Sequence, residues 1–590
     1  MGVKTFFSSC LGSCLGVFAT MTIGLIVVIS LLISTVSSLM DGDDKSKSVE
    51  NSILHIDLKG VINEYNTGED ILATITDIDL ELTGSTVLNI LQSIEIAEID
   101  SAIKGIFIEC NGAEIGLAAS SEIRNALLDF KSSGKWVYAY GGAITQTDYY
   151  IATAADSIFV NPVGAVDIHG LASTSIYYKN LLEKIGIDVQ VLKSGKYKSA
   201  VEPFTETSMS AEDKTQRMAY INSIWDTIAD GIAESRDITV DRLQQLASEM
   251  IVTKDGEYLL RNKIVDAISY RTESLNKMAL LVGEDDITDL NFISPKELTT
   301  MAEGVMESTK DEIAVLYAVG EISEYSVDGI KYKKIVKRID KLAKDKSVKA
   351  LVLRVNSPGG SAYDSDQIWE ALERFKLTGK PFVVSMSDLA ASGGYYIACG
   401  ADYIFAEPTT LTGSIGVFGI IPSAKTLLND KLGVNVDVVS TNRNADLISV
   451  AKPMTPAQLA AMQASVSRVY DTFVIRVADG RDMSVAKVDN IAQGRVWSGA
   501  MAKEVGLVDN LGGLSSAINY AAMLADLSDY QTKYYPKLDS EWQMFLNYIS
   551  GTDMTELFFP DMELIKYNRR VKSWLEQNPI QMIYYQSEIK

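Results

Sequence analysis

The feature that most constrains this chain is that it carries one pattern twice. Residues 103–131 align without gaps on residues 348–376 at a constant offset of 245. Lys104, Asn111, Ile123, Ala126, Leu127, Phe130 and Lys131 meet Lys349, Asn356, Ile368, Ala371, Leu372, Phe375 and Lys376. Further on, Tyr149-Tyr150-Ile151-Ala152 matches Tyr395-Tyr396-Ile397-Ala398, and Ala155-Asp156 matches Ala401-Asp402. The likeness continues at Arg236-Asp237 with Arg481-Asp482 and at Val265-Asp266 with Val508-Asp509. Upstream, Gly60 and Glu64-Tyr65 match Gly320 and Glu324-Tyr325. Self-similarity of this kind means two copies of one fold of ~220 residues. Each copy alternates short apolar strands with amphipathic helices, the pattern of an α/β fold. Helix starts are legible at Ser210-Ala211-Glu212-Asp213, a capping box, and at Thr455-Pro456. Met218, Ile221, Trp225 and Ile228 are expected to form the core face of the first of these helices.

Chemistry concentrates in Leu351–Gly394. An apolar strand, Leu351–Val355, runs into the turn Asn356-Ser357-Pro358-Gly359-Gly360, whose paired glycines leave backbone N–H groups uncovered, as an oxyanion-binding loop requires. A helix with Ile368, Leu372 and Phe375 on one face follows, then a strand from Pro381 to Met386. That strand delivers Ala390-Ala391-Ser392-Gly393-Gly394. A serine among small residues at a strand-to-helix junction is either a helix N-cap or a hydroxyl held in the open near helix N-terminal amides. The first copy lacks both loops: Gly112-Ala113-Glu114-Ile115 stands in place of Ser357-Pro358-Gly359-Gly360, and Thr145-Gln146-Thr147-Asp148 in place of Ala391-Ser392-Gly393-Gly394. It has instead the segment Lys193–Phe204, where the second copy has Thr441-Asn442-Arg443-Asn444-Ala445, with alanine opposite Lys198.

Asn-Ser-Pro-Gly-Gly joined to Ala-Ser-Gly-Gly-Tyr-Tyr resembles the serine-protease branch of the Clp protease/crotonase superfamily, in particular the long, two-repeat signal peptide peptidases. Tyr197-Lys198-Ser199-Ala200-Val201-Glu202-Pro203-Phe204 is similar to the segment that carries the general-base lysine in that group. The resemblance implies two tandem Clp/crotonase-like repeats, each a spiral of ββα units. It also implies a Ser392 nucleophile, Lys198 as its base across the interface between copies, and Ser414 as a hydroxyl orienting the lysine. Lys193 and Lys196 are rivals that fall outside the matching octapeptide. The oxyanion would be received by N–H groups of Gly359 and Gly393. Relatives form closed rings, so a homotetramer is expected, and the substrates implied are signal-peptide remnants and other apolar peptides.

Composition narrows the alternatives. With 54 Lys and Arg against 77 Asp and Glu, the net charge is −23. No run of clustered basic residues is evident, which points away from nucleic acid, and no GxxxxGK[ST] motif points to a nucleotide. The two histidines, His55 in the apolar strand Ile53–Leu58 and His169 beside Gly170, have no motif around them. Neither a Ser-His-Asp triad nor a zinc site is expected, and no cofactor or metal. Cys110 and Cys399 read as small buried hydrophobes, and Cys10 and Cys14 form no disulfide framework.

Thr5–Met40 holds no charged residue, and Leu15–Ile33 is apolar enough to span a bilayer, which takes ~20 residues. Lys4 before it and Asp41-Gly42-Asp43-Asp44 after it favour a single-pass anchor in the inner membrane, with the catalytic body on the periplasmic side. The length of the run favours an anchor over a cleaved signal peptide. The expected organisation is an anchor and linker over 1–45, a first repeat over 46–300 that contributes the lysine, a second over 301–525 that contributes the serine and oxyanion loop, and an aromatic-rich extension over 526–590. The competing readings are a crotonase-like acyl-CoA enzyme, which gives Ser392 and Lys198 no task, and an inactive membrane scaffold.

Overall fold

The β-branched runs of the first copy fold as β1 (Ser52–Leu58), β2 (Ile103–Cys110), β3 (Trp136–Ile144), β4 (Ser157–Val166), β5 (Asp188–Ser194), β6 (Ala267–Ile268) and β7 (Asn291–Ile293). Except for β5 they form one parallel sheet in the order β6-β4-β3-β2-β1-β7. In the second copy the strands are β8 (Glu312–Val319), β9 (Val348–Ser357), β10 (Gly359–Ser361), β11 (Phe382–Ala391), β12 (Tyr403–Ala406), β13 (Leu411–Gly413), β14 (Val417–Ser423), β15 (Val496–Ser498), β16 (Asn510–Leu511) and β17 (Gln531–Tyr535). They give the path β15-β13-β11-β9-β8-β17, parallel except at β13-β15. β17 lies beside β8 as β7 lies beside β1. A last strand, β18 (Ile580–Ile583), completes the described residues. The central strands are apolar over their middle stretches because both faces are covered: Ile106, Phe107 and Ile108 of β2 and Leu351, Val352 and Leu353 of β9 are fully buried.

The structure, a computed structural model, describes residues 50–65, 85–303, 309–326, 329–536 and 580–583. The expected anchor Leu15–Ile33, Cys10, Cys14 and the aromatics Trp542, Phe545, Phe558, Phe559 and Trp574 lie outside them. Among the described residues no helix is long and apolar enough to cross a membrane.

The polar residues that recur between copies are brackets that hold strand ends to the layers above them. Arg236 forks onto Asp266 at 3.0 and 2.8 Å, and Asp266 Oδ2 accepts the Ile158 N–H at 2.8 Å. Arg481 Nη2 pairs with Asp509 Oδ1 at the equivalent place, and Asp509 Oδ2 accepts the Ile404 N–H at 2.8 Å. Tyr149 donates to the Ile264 carbonyl and Tyr395 to that of Leu507. Asp156 accepts from Val137 N–H and Asp402 from Phe382 N–H. Each bracket satisfies a backbone group that burial would otherwise strand.

Two expectations need correction. Met218 is half exposed. The buried face of helix Ala211–Ser235 is Gln216, Tyr220, Ile224, Trp225 and Ile228, because the i, i+4 row begins at a polar residue that apolar periodicity overlooks. Helix Tyr332–Lys344 also presents Lys333, Lys334, Lys337, Lys341 and Lys344 to solvent, so the acidic chain does carry a basic face among its described residues. These lysines are interrupted in sequence by apolar residues and gathered by the helical turn.

The two copies are joined by a buried ionic cluster on β9 and β11. Arg354, fully buried, donates to Glu64 at 2.9 and 3.1 Å and to Glu122 at 2.6 Å, both carboxylates from the first copy, and to Ser385 Oγ at 2.8 Å. Ser387 also donates to Glu64, and the Leu514 N–H to Glu122. Asp388 reaches the start of helix Leu117–Phe130 and accepts from the N–H groups of Ala118 (2.8 Å) and Ala119 (3.3 Å). One guanidinium serves several carboxylates here. Burial, with Glu64 beside it, pushes Asp388 up to about 6, and burial near Glu122 pushes Glu407 up to about 8. Replacing Arg354 by leucine leaves Glu64 and Glu122 buried without their cation, and the expected loss of stability is about 3–5 kcal/mol by urea denaturation.

Candidate active site

Ser392 sits at the junction of β11 and the short helix Gly393–Ala398, with φ 57° and ψ −116°, a conformation that L residues rarely adopt. The strain is held by packing on both sides. Ser392 N–H donates to the Gly413 carbonyl at 2.8 Å. Gly393 lies so close to the Asn356–Gly360 turn that an added Cβ would stand 2.6 Å from Ser365 Oγ and 3.1 Å from Gly359 Cα. The small residues around the serine are therefore a steric requirement for bringing the two loops together.

Lys198 arrives from the first copy, 194 residues away in sequence. Its Nζ lies 2.8 Å from Ser392 Oγ, 2.9 Å from the Ser414 carbonyl and 3.0 Å from Ser414 Oγ. Lys198, Ser392 and Ser414 are each at most 1% exposed. Burial drives the Lys198 amine well below its ordinary value, and among the described residues no carboxylate opposes it. The lysine's backbone is clamped to the second copy: Tyr197 N–H donates to the Gln493 carbonyl at 2.8 Å, and a Cβ on Gly494 (φ +78°) would lie 2.6 Å from Lys198 N. Gln216 bridges both sides, donating to the Tyr197 carbonyl and Ser199 Oγ at 3.0 Å each and accepting the Val496 N–H at 3.2 Å. Gln216, Gln493 and Gly494 were not among the expected site residues. The one signal they carry is that Gln216 begins a buried row on its helix.

Of the two expected oxyanion glycines, Gly393 is the first residue of its helix, where an N–H has no intrahelical acceptor. The Gly359 N–H instead donates to Ser357 Oγ at 3.2 Å, and Ser357 in turn donates to the Gly320 carbonyl at 2.7 Å. Lys193 lies on β5 and Lys196 stacks over the Tyr197 ring.

The corresponding place in the first copy is filled by its own side chains. Gln146, at the position of Ser392, accepts the N–H groups of His169 and Gly170 at 2.8 and 2.9 Å and donates to the Gly170 carbonyl. Asp148 is fully buried, accepts the Gly112 N–H at 2.8 Å, and is pushed up to about 6 by burial. The histidines are engaged elsewhere: His55 Nε2 lies 2.9 Å from Glu109 and its ring stacks on Phe107, and His169 pairs with Asp167 at 3.0 Å. Among the described residues no cluster of His, Cys, Asp and Glu has the form of a metal site.

Comparison with known proteins agrees with the duplication. Peptidase family S49 matches the chain twice, over residues 129–284 and 374–528. Protease 4 of Haemophilus influenzae is 34% identical over 512 residues, which is 84% of this chain and 83% of that protein. Protease 4 of Salmonella typhi is 34% identical over 533 residues, 87% of this chain and 84% of that one. The chloroplastic serine protease SPPA of Arabidopsis thaliana is 31% identical over 442 residues, 73% of this chain and 64% of that one.

The depressed Lys198 amine has a consequence for stability. Between its lowered folded value and the ordinary ~10.5 the unfolded chain holds a proton that the folded chain does not, so folding gains stability as pH rises through that window. Lys198→Met removes the titration. The unfolding free energy of the wild type relative to this variant should climb toward pH 10 by up to about 1.4 kcal/mol per pH unit, as read by urea denaturation.

Proposed function

The chain belongs to peptidase family S49 and is a serine peptidase, and on that premise we propose that it cleaves peptide bonds with a Ser392/Lys198 dyad assembled between its two copies. The observation that carries this reading is the 2.8 Å approach of a fully buried lysine amine to a serine hydroxyl. An unprotonated amine donates two hydrogens and has one lone pair. The Ser414 carbonyl and hydroxyl accept the hydrogens, and the lone pair is left to take the Ser392 proton.

As that proton moves to Lys198, Ser392 Oγ attacks the substrate carbonyl carbon. The oxyanion formed is received by the Gly393 and Gly359 N–H groups, the latter exchanging its long bond to Ser357 Oγ for a charged acceptor. The C–N bond breaks, the Lys198 ammonium returns its proton to the leaving amine, and an ester to Ser392 remains. Water, deprotonated by the same amine, attacks that ester; the acyl C–Oγ bond breaks, the Lys198 ammonium returns the proton to Ser392 Oγ, and the acid is released. Ser414 holds Lys198 in place and touches no substrate.

The wider reading places the peptidase on two tandem Clp/crotonase-like spirals, held to a membrane by Leu15–Ile33, with its body on the periplasmic side and assembled as a homotetramer. Its substrates are signal-peptide remnants and other apolar segments. The apolar N-terminal run supports the anchor in this wider reading.

Ser392→Ala and Lys198→Ala should each lower hydrolysis of an internally quenched apolar peptide by roughly 10⁴-fold while the protein stays folded. A fluorophosphonate probe should label wild type at Ser392. A fully active Lys198→Ala protein would rule out the dyad. In the wild type kcat/KM should rise with pH through the lowered value of Lys198, because the unprotonated amine is the active form.

A further inference from the structure

The duplication supplies an internal control for the surface, because a feature that the fold requires recurs in both copies. The basic helix does not recur. Helix Tyr332–Lys344 stands at the same offset of 245 from helix Val87–Ile99, residue for residue. Where the second copy has Lys333, Lys334, Lys337, Lys341 and Lys344, the first has Leu88, Asn89, Gln92, Ile96 and Ile99. The first-copy helix is an interior one: seven of its 13 residues are buried, Leu88 lies in the apolar cluster with Tyr317 of the second copy, and helix Pro295–Glu303 packs on it. In helix Tyr332–Lys344 only Ile339 and Leu342 are buried. Its lysines are therefore no condition of the α/β fold.

At about 3.6 residues per turn the five lysines fall within an arc of about 100°, opposite Ile339 and Leu342. The helix holds six basic residues and one acid in a chain whose net charge is −23. The acid, Asp340, is taken by Arg374 of the neighbouring helix Ala362–Lys376 at 2.6 Å, and Lys333 pairs with Glu324 at 3.5 Å. Lys334, Lys337, Lys341 and Lys344 make no ion pair among the described residues. Between the two helices runs an open groove of about 450 Å³, where Lys337, Lys341 and Lys344 face Asp340 and Glu370, both already held by Arg374. At the start of the helix Tyr332 meets Tyr363 edge to face at 5.8 Å, and Tyr363 and Tyr325 are each about half exposed.

A helix face of unpaired lysines with tyrosines at its edge has the composition of a surface that lies on phospholipid headgroups. We propose that the lysine face of helix Tyr332–Lys344 docks on anionic phospholipid. The charges spread over about 20 Å of open helix and converge on no buried point, which suits many mobile phosphates and gives a single small anion no enclosing site. An apolar run that anchors the chain holds this face near headgroups and raises their effective concentration, an advantage that an acidic protein partner lacks. Docking has a consequence for the site. The basic helix packs on helix Ala362–Lys376, which begins two residues after Gly360, so headgroups lie one helix layer from the glycine turn proposed to receive the oxyanion. The proposal takes from the wider reading only that the chain sits at a membrane, and it does not need the dyad.

The test uses full-length protein reconstituted with vesicles of phosphatidylcholine alone, or of equal parts phosphatidylcholine and phosphatidylglycerol. Trace acetylation by acetic anhydride, which crosses bilayers, is read lysine by lysine by mass spectrometry. Attraction to an anionic surface is worth roughly fivefold per lysine, so Lys334, Lys337, Lys341 and Lys344 should react about fivefold more slowly with the mixed vesicles. The exposed Lys214 and Lys487 should react equally with both. About 1 M NaCl, which shortens the Debye length to about 3 Å, should abolish the difference. In the variant K334E/K337E/K341E, Lys344 should lose its protection while a soluble peptide is hydrolysed at the wild-type rate. Equal reactivity of the helix lysines with the two vesicles overturns the proposal. Equally slow reaction in detergent without lipid also overturns it, and assigns the face to a second copy of the chain. Flotation with phosphatidylcholine alone reports the anchor by itself: its loss overturns the anchor, while the difference between the two vesicles still decides the face.

Discussion

The site depends on taking one lysine amine out of water. An ammonium in an apolar setting is costly unless a carboxylate accompanies it; among the described residues none accompanies Lys198, and burial lowers its amine well below the ordinary value. The rest of the local architecture serves that burial. The amine's two hydrogens go to Ser414, the backbone on either side of Lys198 is locked onto Gln493 and Gly494, and Gln216 closes the junction. A carboxylate among these partners would have kept the amine charged and unable to accept a proton.

Because the amine and the alcohol come from different copies, the interface between copies has to be rigid. Strand β11 does both tasks. Ser385, Ser387 and Asp388 tie it to Arg354, Glu64 and the helix starting at Leu117, and four residues beyond Asp388 it delivers Ser392. Displacement of the first copy would thus move the strand that holds the serine as well as the segment that holds the lysine.

Duplication also explains which residues recur and which do not. The brackets Arg236–Asp266 and Arg481–Asp509 hold the same strand ends in the same fold and are kept in both copies. The positions of the proposed dyad carry no such duty. Gln146 and Asp148 fill in the first copy the places that Ser392 and Gly394 hold in the second, and their hydrogen bonds to Gly170 and Gly112 close that region with side chains.

Much of this was legible from the residues. The two copies, the strands around β2 and β9, the helix caps at Ser210 and Thr455 and the glycine turns follow from periodicity, capping and backbone sterics, which act over a few residues. Lys198 and Ser392 could be named from local motifs that resemble a known family. Their neighbours could not. Gln216, Gln493, Gly494 and the Arg354–Glu64–Glu122 cluster are defined by contacts across hundreds of residues; apolar spacing placed Trp225 and Ile228 correctly on the buried face but misplaced Met218, and the basic face of helix Tyr332–Lys344 emerges only when the helix is wound. The sequence by itself determined two α/β copies, one with serine and glycine loops and one with a lysine segment. Only the tertiary structure decided that the lysine is buried with no carboxylate beside it among the described residues, and that the basic helix face stays open to solvent, because desolvation and exposure depend on everything packed around a residue and very little on what precedes or follows it in the chain.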